Sequence, residues 1–194
     1  MTSLDGGGTC LLVTGAPGAG KTTVTRLVAA ALSRSALLRG DDVSRLVVSG
    51  HVWALGEPAD EAARQTRLCN DNLVTLATNF MAAGFTPVID WIVPDRAQLD
   101  VFVDGLGGLG GLGGLGLHLV VLDPGGETCR ARNEQRAPEE QFFFDGHEEL
   151  TATMRDGFGD LGWWFDTSGL TPEETAERIV VHAYAHGGVP AGGS

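Results

Sequence analysis

The chain has 194 residues, 43% of them hydrophobic, and a formal net charge of −12 from 25 acidic against 13 basic side chains. That length fits one domain with a sizeable core. The acidity argues against a protein that coats long nucleic acid or an anionic membrane, because either needs a basic face. In chain order, the apolar run CLLVT (Cys10–Thr14) stops at Gly15 and predicts a buried strand. From Lys21 to Ser33, Val24, Leu27, Val28, Ala31 and Leu32 share one helical face. A second strand is expected over Ala36–Leu38, closed by Gly40, Asp41 and Asp42, with a helix following over Val43–Gly50. Leu68, Leu73, Leu76 and Phe80 mark a long helix from Pro58 to Ala83, stopped by Gly84. TPVIDWIV (Thr86–Val93) predicts a third strand with Asp90 near its end, and Asp95–Phe102 a short helix.

The second half begins with GLGGLGGLGGLG at 105–116, which reads as a low-complexity linker. LHLVVL (Leu117–Leu122) is a fourth strand, and helices are expected over Glu127–Arg136 and Glu148–Asp156. Trp163–Phe165 is a short fifth strand. The last helix opens on the capping box Thr171-Pro-Glu-Glu and runs to about Tyr184. Residues 187–194 read as a flexible tail. Strands alternating with helices predict a single α/β domain over 1–194, built on a parallel sheet covered on both faces. Ligands of such sheets sit beyond the carboxyl ends of the strands, where Gly15, Asp41, Asp42 and Asp90 all fall. Cys10, Cys69 and Cys129 are far apart with no CxxC pair, so buried free thiols are expected. No secretory leader and no apolar run of ~20 residues is visible, and a soluble cytoplasmic protein is the expectation.

Two glycine-rich stretches compete as a phosphate cradle. GAPGAGKT (Gly15–Thr22) has a strand before it, a helix after it, and the spacing of a Walker A loop. Gly15, Ala16, Pro17, Gly18, Ala19 and Gly20 would curl the backbone until its N–H groups face phosphate oxygens. Lys21 would reach the β- and γ-phosphates, and Thr22, followed by Thr23, would supply a hydroxyl to Mg²⁺. The tract at 105–116 has no lysine, serine or threonine and precedes a strand, so it is not the cradle.

Asp41 and Asp42 stand where a carboxylate can take the proton of an attacking hydroxyl, although an aspartate there can also cap a helix. Asp90 has the setting of a Walker B metal ligand, ahead of Asp123. Arg130, Arg132 and Arg136 form the strongest basic cluster of an acidic chain; they would clamp phosphate or pair with nearby glutamates. Trp53 and Trp91 are candidate walls of a substrate pocket, with core packing as the alternative. His182 and His186, at i and i+4, are a weak metal pair.

The order GAPGAGKT, GDDxxR, VIDW, RxRNxxR and WFDTSGLTPEETA resembles the small P-loop kinases. These comprise the chloramphenicol phosphotransferase-like, gluconate and shikimate kinase-like and polynucleotide kinase-like ATP-binding domains of AAA type. The resemblance implies a five-stranded parallel sheet in the order 2-3-1-4-5, an arginine-bearing lid, and ATP with Mg²⁺. It implies Asp42 as general base with Asp41 as runner-up, and Arg45 as a substrate contact. It also implies Asp90 as the strand-three acid, Arg132 and Arg136 as lid arginines, and Thr167 and Ser168 beside the adenine. The expected activity is phosphoryl transfer from ATP to a hydroxyl of a small molecule. A polynucleotide 5′-hydroxyl kinase, which the net charge disfavours, and a nucleotide-binding ATPase or switch stay open, as does a homodimer.

Overall fold

Six strands and seven helices form one α/β layer structure in the computed structural model, which describes residues 4, 8–107, 116–138 and 141–190. The strands are β1 (Cys10–Thr14), β2 (Ser35–Arg39), β3 (Thr86–Asp90), β4 (Leu117–Leu122), β5 (Trp163–Phe165) and β6 (Gly188–Val189). The helices are α1 (Lys21–Ala31), α2 (Gly40–Ser44), α3 (Ala59–Ala82), α4 (Arg96–Leu106), α5 (Gly126–Glu134), α6 (His147–Phe158) and α7 (Pro172–His186). The sheet order is β2-β3-β1-β4-β5, all parallel, and β6 pairs antiparallel to the start of β4. This is the order and class expected; β6 is an addition.

β1, β3 and β4 are buried along their whole length, as central parallel strands covered on two faces must be. Alternate residues serve opposite layers. Cys10, Leu12, Ile89, Leu119 and Val121 pack with α3, α4 and α6 through Leu73, Phe102 and Phe158. Leu11, Val13, Val88, Val120 and Leu122 face α1 and α7 through Val24, Val28, Ile179 and Ala183. The sandwich holds the carboxyl ends of β1, β2 and β3 side by side, with Val13, Arg39 and Asp90 in adjacent register.

Four expectations are revised. The helix expected over Val43–Gly50 is instead α2, starting at Gly40 and ending at Ser44. Asp41 and Asp42 suit a helical first turn, where the dipole favours acids, whereas Val47, Val48 and Gly50 offer little to sustain one. β3 stops at Asp90: Trp91 N–H still donates to Val13 O at 3.3 Å, but Val93 N–H turns to the Thr14 side-chain hydroxyl and the backbone ladder ends. α4 runs past Phe102 into the glycine-leucine tract, taking Gly105 and Leu106 into its last turn. Burial of Leu106 contributes about 1.5–3 kcal/mol, enough to offset the ~1 kcal/mol helix cost of Gly105. Most of the expected linker, 108–115, lies outside the described residues. The expected tail instead begins with Gly187 capping α7 and continues as β6, where Leu119 N–H donates to Gly187 O at 2.7 Å. Residues 191–194 lie outside the described set.

Candidate active site

The loop between β1 and α1 needs its glycines. Gly15, Gly18 and Gly20 have φ of 143°, 84° and 100°. A Cβ on Gly15 would stand 2.4 Å from Leu122 O, and one on Gly18 2.6 Å from Cys129 O. Only glycine meets both the positive φ and the close approach. No side chain caps α1, so the first-turn amides and the positive end of the helix dipole point out of the loop. Lys21 folds back over the loop and donates from Nζ to Gly15 O at 2.9 Å and Ala16 O at 3.0 Å. Burial lowers its pKa, while the nearby Asp90 carboxylate works in the opposite direction. Thr22 and Thr23 are exposed beside it.

Asp90 is 7% exposed at the end of β3. Burial raises its pKa, opposed by Lys21 and by a hydrogen bond from the Thr22 hydroxyl. Thr22 and Asp90, expected together from sequence, thus lie near each other at the ends of β1 and β3. Both offer hard oxygen donors of the kind Mg²⁺ takes. No group of three or more His, Cys, Asp or Glu able to hold a metal occurs among the described residues.

Of the two adjacent acids, Asp41 faces the cleft. It lines the main cavity and acts electrostatically on Lys21 and Asp90. Both acids are exposed; Asp42, the acid expected as base, is outside the cavity lining and approaches Arg39 at 3.5 Å. Neighbours on a helical turn point about 100° apart, so α2 can present only one of the pair. Arg45 is also exposed; its backbone N–H closes the turn onto Asp41 O at 3.1 Å, and its side chain does not line the cavity.

The cavity measures about 990 Å³ and runs from Pro17 and Asp41, past Trp53 and Trp91, to α3, α4 and α6. Both tryptophans line it. Trp91 lies flat against Gly40, where a Cβ would sit 1.9 Å from its Cε3, and its Nε1 donates to Asn70 Oδ1 at 2.8 Å. Asn70 Nδ2 reaches Gln98 Oε1 at 3.4 Å.

On the other side of the loop, Arg132 donates from Nη1 to Ala19 O and from Nη2 to Thr167 O, each at 2.9 Å. One guanidinium thereby joins α5, the phosphate loop and the turn after β5. Thr167 is buried there, and Ser168 N–H donates to Asp166 Oδ1, which holds that carboxyl below its ordinary range. Arg136 is exposed and lies 5.1 Å above the Phe142 ring. Arg130 makes a two-pronged pair with Glu148, tying α5 to α6. Asp123 pairs with Arg155. His182 and His186 pack their rings around Trp163.

Sequence reading missed His147, whose buried Nε2 contacts Pro17 O at 3.1 Å, so that α6 supports the loop. It also missed Asn70, Gln98 and Phe144. All four come from separate helices or loops and carry no spacing signal.

A family model described as an AAA domain matches residues 11–161. No curated protein matches the sequence. Among solved structures, the chain is similar to an unliganded sugar kinase from Janibacter, with 18% identity, 89% of this chain and 92% of that chain covered, and TM-score 0.64. It is similar to an APS kinase from Mycobacterium tuberculosis, solved with AMPPNP and APS, at 19% identity, 90% and 96% coverage and TM-score 0.62. It is also similar to a shikimate kinase from Acinetobacter baumannii, solved with shikimate, at 17% identity, 88% and 90% coverage and TM-score 0.60. These likenesses show a shared fold, that of the small P-loop kinases.

Proposed function

The chain belongs to the AAA domain family, and on that premise we propose that it is an ATP-dependent kinase that phosphorylates a hydroxyl of a small molecule. The observation that carries this reading is Asp41: one carboxylate lines the cavity and also lies within electrostatic reach of Lys21 and Asp90. A nucleotide switch has no use for such a cavity opening on its phosphate loop.

In this reading the loop amides and the α1 N-terminus take the phosphates, and Lys21 exchanges its two loop carbonyls for phosphate oxygens. Arg132, held flat between Ala19 and Thr167, borders the nucleotide from the α5 side. Thr22 and Asp90 would hold a magnesium ion, which would supply charge neutralisation to the phosphates. Asp41 accepts the acceptor's hydroxyl proton. The alcohol oxygen bonds to the γ-phosphorus, the bond to the bridging oxygen breaks, and ADP leaves. Placement and electrostatics do most of the work.

The test is calorimetric uptake of Mg-ATP, followed by an ADP-release screen over alcohols of different charge and size. Asp41→Asn is expected to keep ATP affinity and to lose about 10²–10⁴-fold in turnover. Asp42→Asn, which loses only an exposed ion pair, is expected to stay within a fewfold of wild type. Absence of Mg-ATP uptake would end the reading, and the reverse ranking of the two variants would move the base to Asp42.

A further inference from the structure

We infer that the acceptor is a bulky, largely apolar alcohol that carries no anionic group. This rests on the kinase reading of the same site and narrows it. At about 990 Å³ the cavity stands at the upper end of the ~300–1,000 Å³ range of drug-sized ligand sites. Its walls include Trp53, Leu55, Trp91, Ile92, Val101 and Phe144. Trp53 and Leu55 are 62% and 69% exposed, so two large apolar side chains at the cavity stand in water until an apolar ligand covers them.

Charge points the same way. The lining holds four carboxylates, Asp41, Glu57, Asp95 and Glu149, and one cation, Arg67. Arg67 already donates to Asp71 Oδ1 at 2.9 Å. A carboxylate or sulfate on the acceptor would meet an excess of negative charge, set against one arginine that already pairs with Asp71. Most polar groups there are also committed. Asn70 serves Trp91 and Gln98, Thr66 donates to Ala62 O, Asp95 accepts Gln98 N–H, and Glu57 accepts Ala59 N–H. A single hydroxyl presented at the Pro17–Asp41 end finds its partner in Asp41. There its proton passes to the carboxylate as its oxygen takes the γ-phosphoryl group from ATP and ADP departs.

Four probes test this on the full chain with Mg-ATP: nitrobiphenylmethanol, the same alcohol bearing a carboxylate, gluconate and shikimate. The nitroaryl group quenches tryptophan, so binding is read from Trp53 and Trp91 without nucleotide, and transfer is read as ADP release. The uncharged alcohol is expected to exceed each anionic probe by at least ~100-fold in kcat/KM. Trp53→Ala is expected to raise its KM by about tenfold or more. Preferred turnover of gluconate, shikimate or the carboxylate-bearing alcohol would overturn the inference and leave the kinase reading standing. Absence of both quenching and ADP release with the uncharged alcohol would also overturn it. The kinase reading fails separately, by absence of Mg-ATP uptake in calorimetry.

Discussion

Replacing Gly40 by alanine tests the packing that sets the cavity wall beside Asp41. The added Cβ would stand 1.9 Å from Trp91 Cε3 and 2.3 Å from Cδ2. The indole must retreat by about 1.5 Å to regain the 3.4 Å of ordinary contact. Overpacking of this kind costs about 1–3 kcal/mol, and the strained Trp91–Asn70 hydrogen bond adds about 1 kcal/mol. Alanine returns up to ~1 kcal/mol over glycine in a helix, which leaves a net loss near ~2 kcal/mol. For a chain of this size that is a Tm fall of roughly 4–8 °C. Urea unfolding followed by circular dichroism measures it, with an unchanged m-value expected. In a Trp91→Leu background the cost should collapse, because the ring that clashes is gone. A cost below ~0.5 kcal/mol in wild type, or an equal cost in both backgrounds, would refute the reasoning.

Arg132→Ala removes two charge-assisted hydrogen bonds to Ala19 O and Thr167 O; with each worth about 1.5–3 kcal/mol, ATP affinity should fall at least about tenfold by calorimetry, and an unchanged affinity would take Arg132 out of the nucleotide site. Glu148 is held at about 2, below its ordinary 4.5, chiefly by the Arg130 hydrogen bond. The stability this pair contributes is present above pH 4.5 and is lost as pH falls towards 2, so the gap between wild type and Glu148→Gln in acid unfolding should close across that window. The free thiols Cys10, Cys69 and Cys129 are buried, which raises the pKa of all three and pushes Cys69 to about 12. Native protein at about pH 8 should resist a thiol-disulfide reagent, and denaturant should release all of them.

The sheet and the phosphate loop were legible because each has a local signature. CLLVT and LHLVVL are mostly apolar and wholly buried, as doubly covered strands are, and Gly15–Thr22 combines turn glycines, a lysine and a hydroxyl in fixed spacing. Which of Asp41 and Asp42 lines the cavity was not legible, since it depends on helical phase. Moving the start of α2 by one residue rotates each side chain by about 100°, and the start is set by Gly40 meeting Trp91, fifty-one residues away in sequence. Residues 45–50 were expected to carry the helix on, yet Val47, Val48 and Gly50 are weak helix formers and α2 ends at Ser44. His147, Asn70 and Gln98 join the site by packing of α3, α4 and α6, which no spacing rule reports. β6 is two residues long, too short for any periodicity to register.

That two-residue strand has a consequence for solubility. β4 is paired on its outer side by β5 from Val120 to Leu122 and by β6 at Leu117 and His118, so nearly its whole rim is occupied. A chain cut after His186 would bare the amino end of the otherwise buried β4, the sort of unsatisfied margin that recruits another molecule. Such a truncation should remain folded yet self-associate with concentration, as light scattering would register. In the intact protein the sheet's edge strands are β2, along Ser35–Arg39, and the three-residue β5, along Trp163–Phe165.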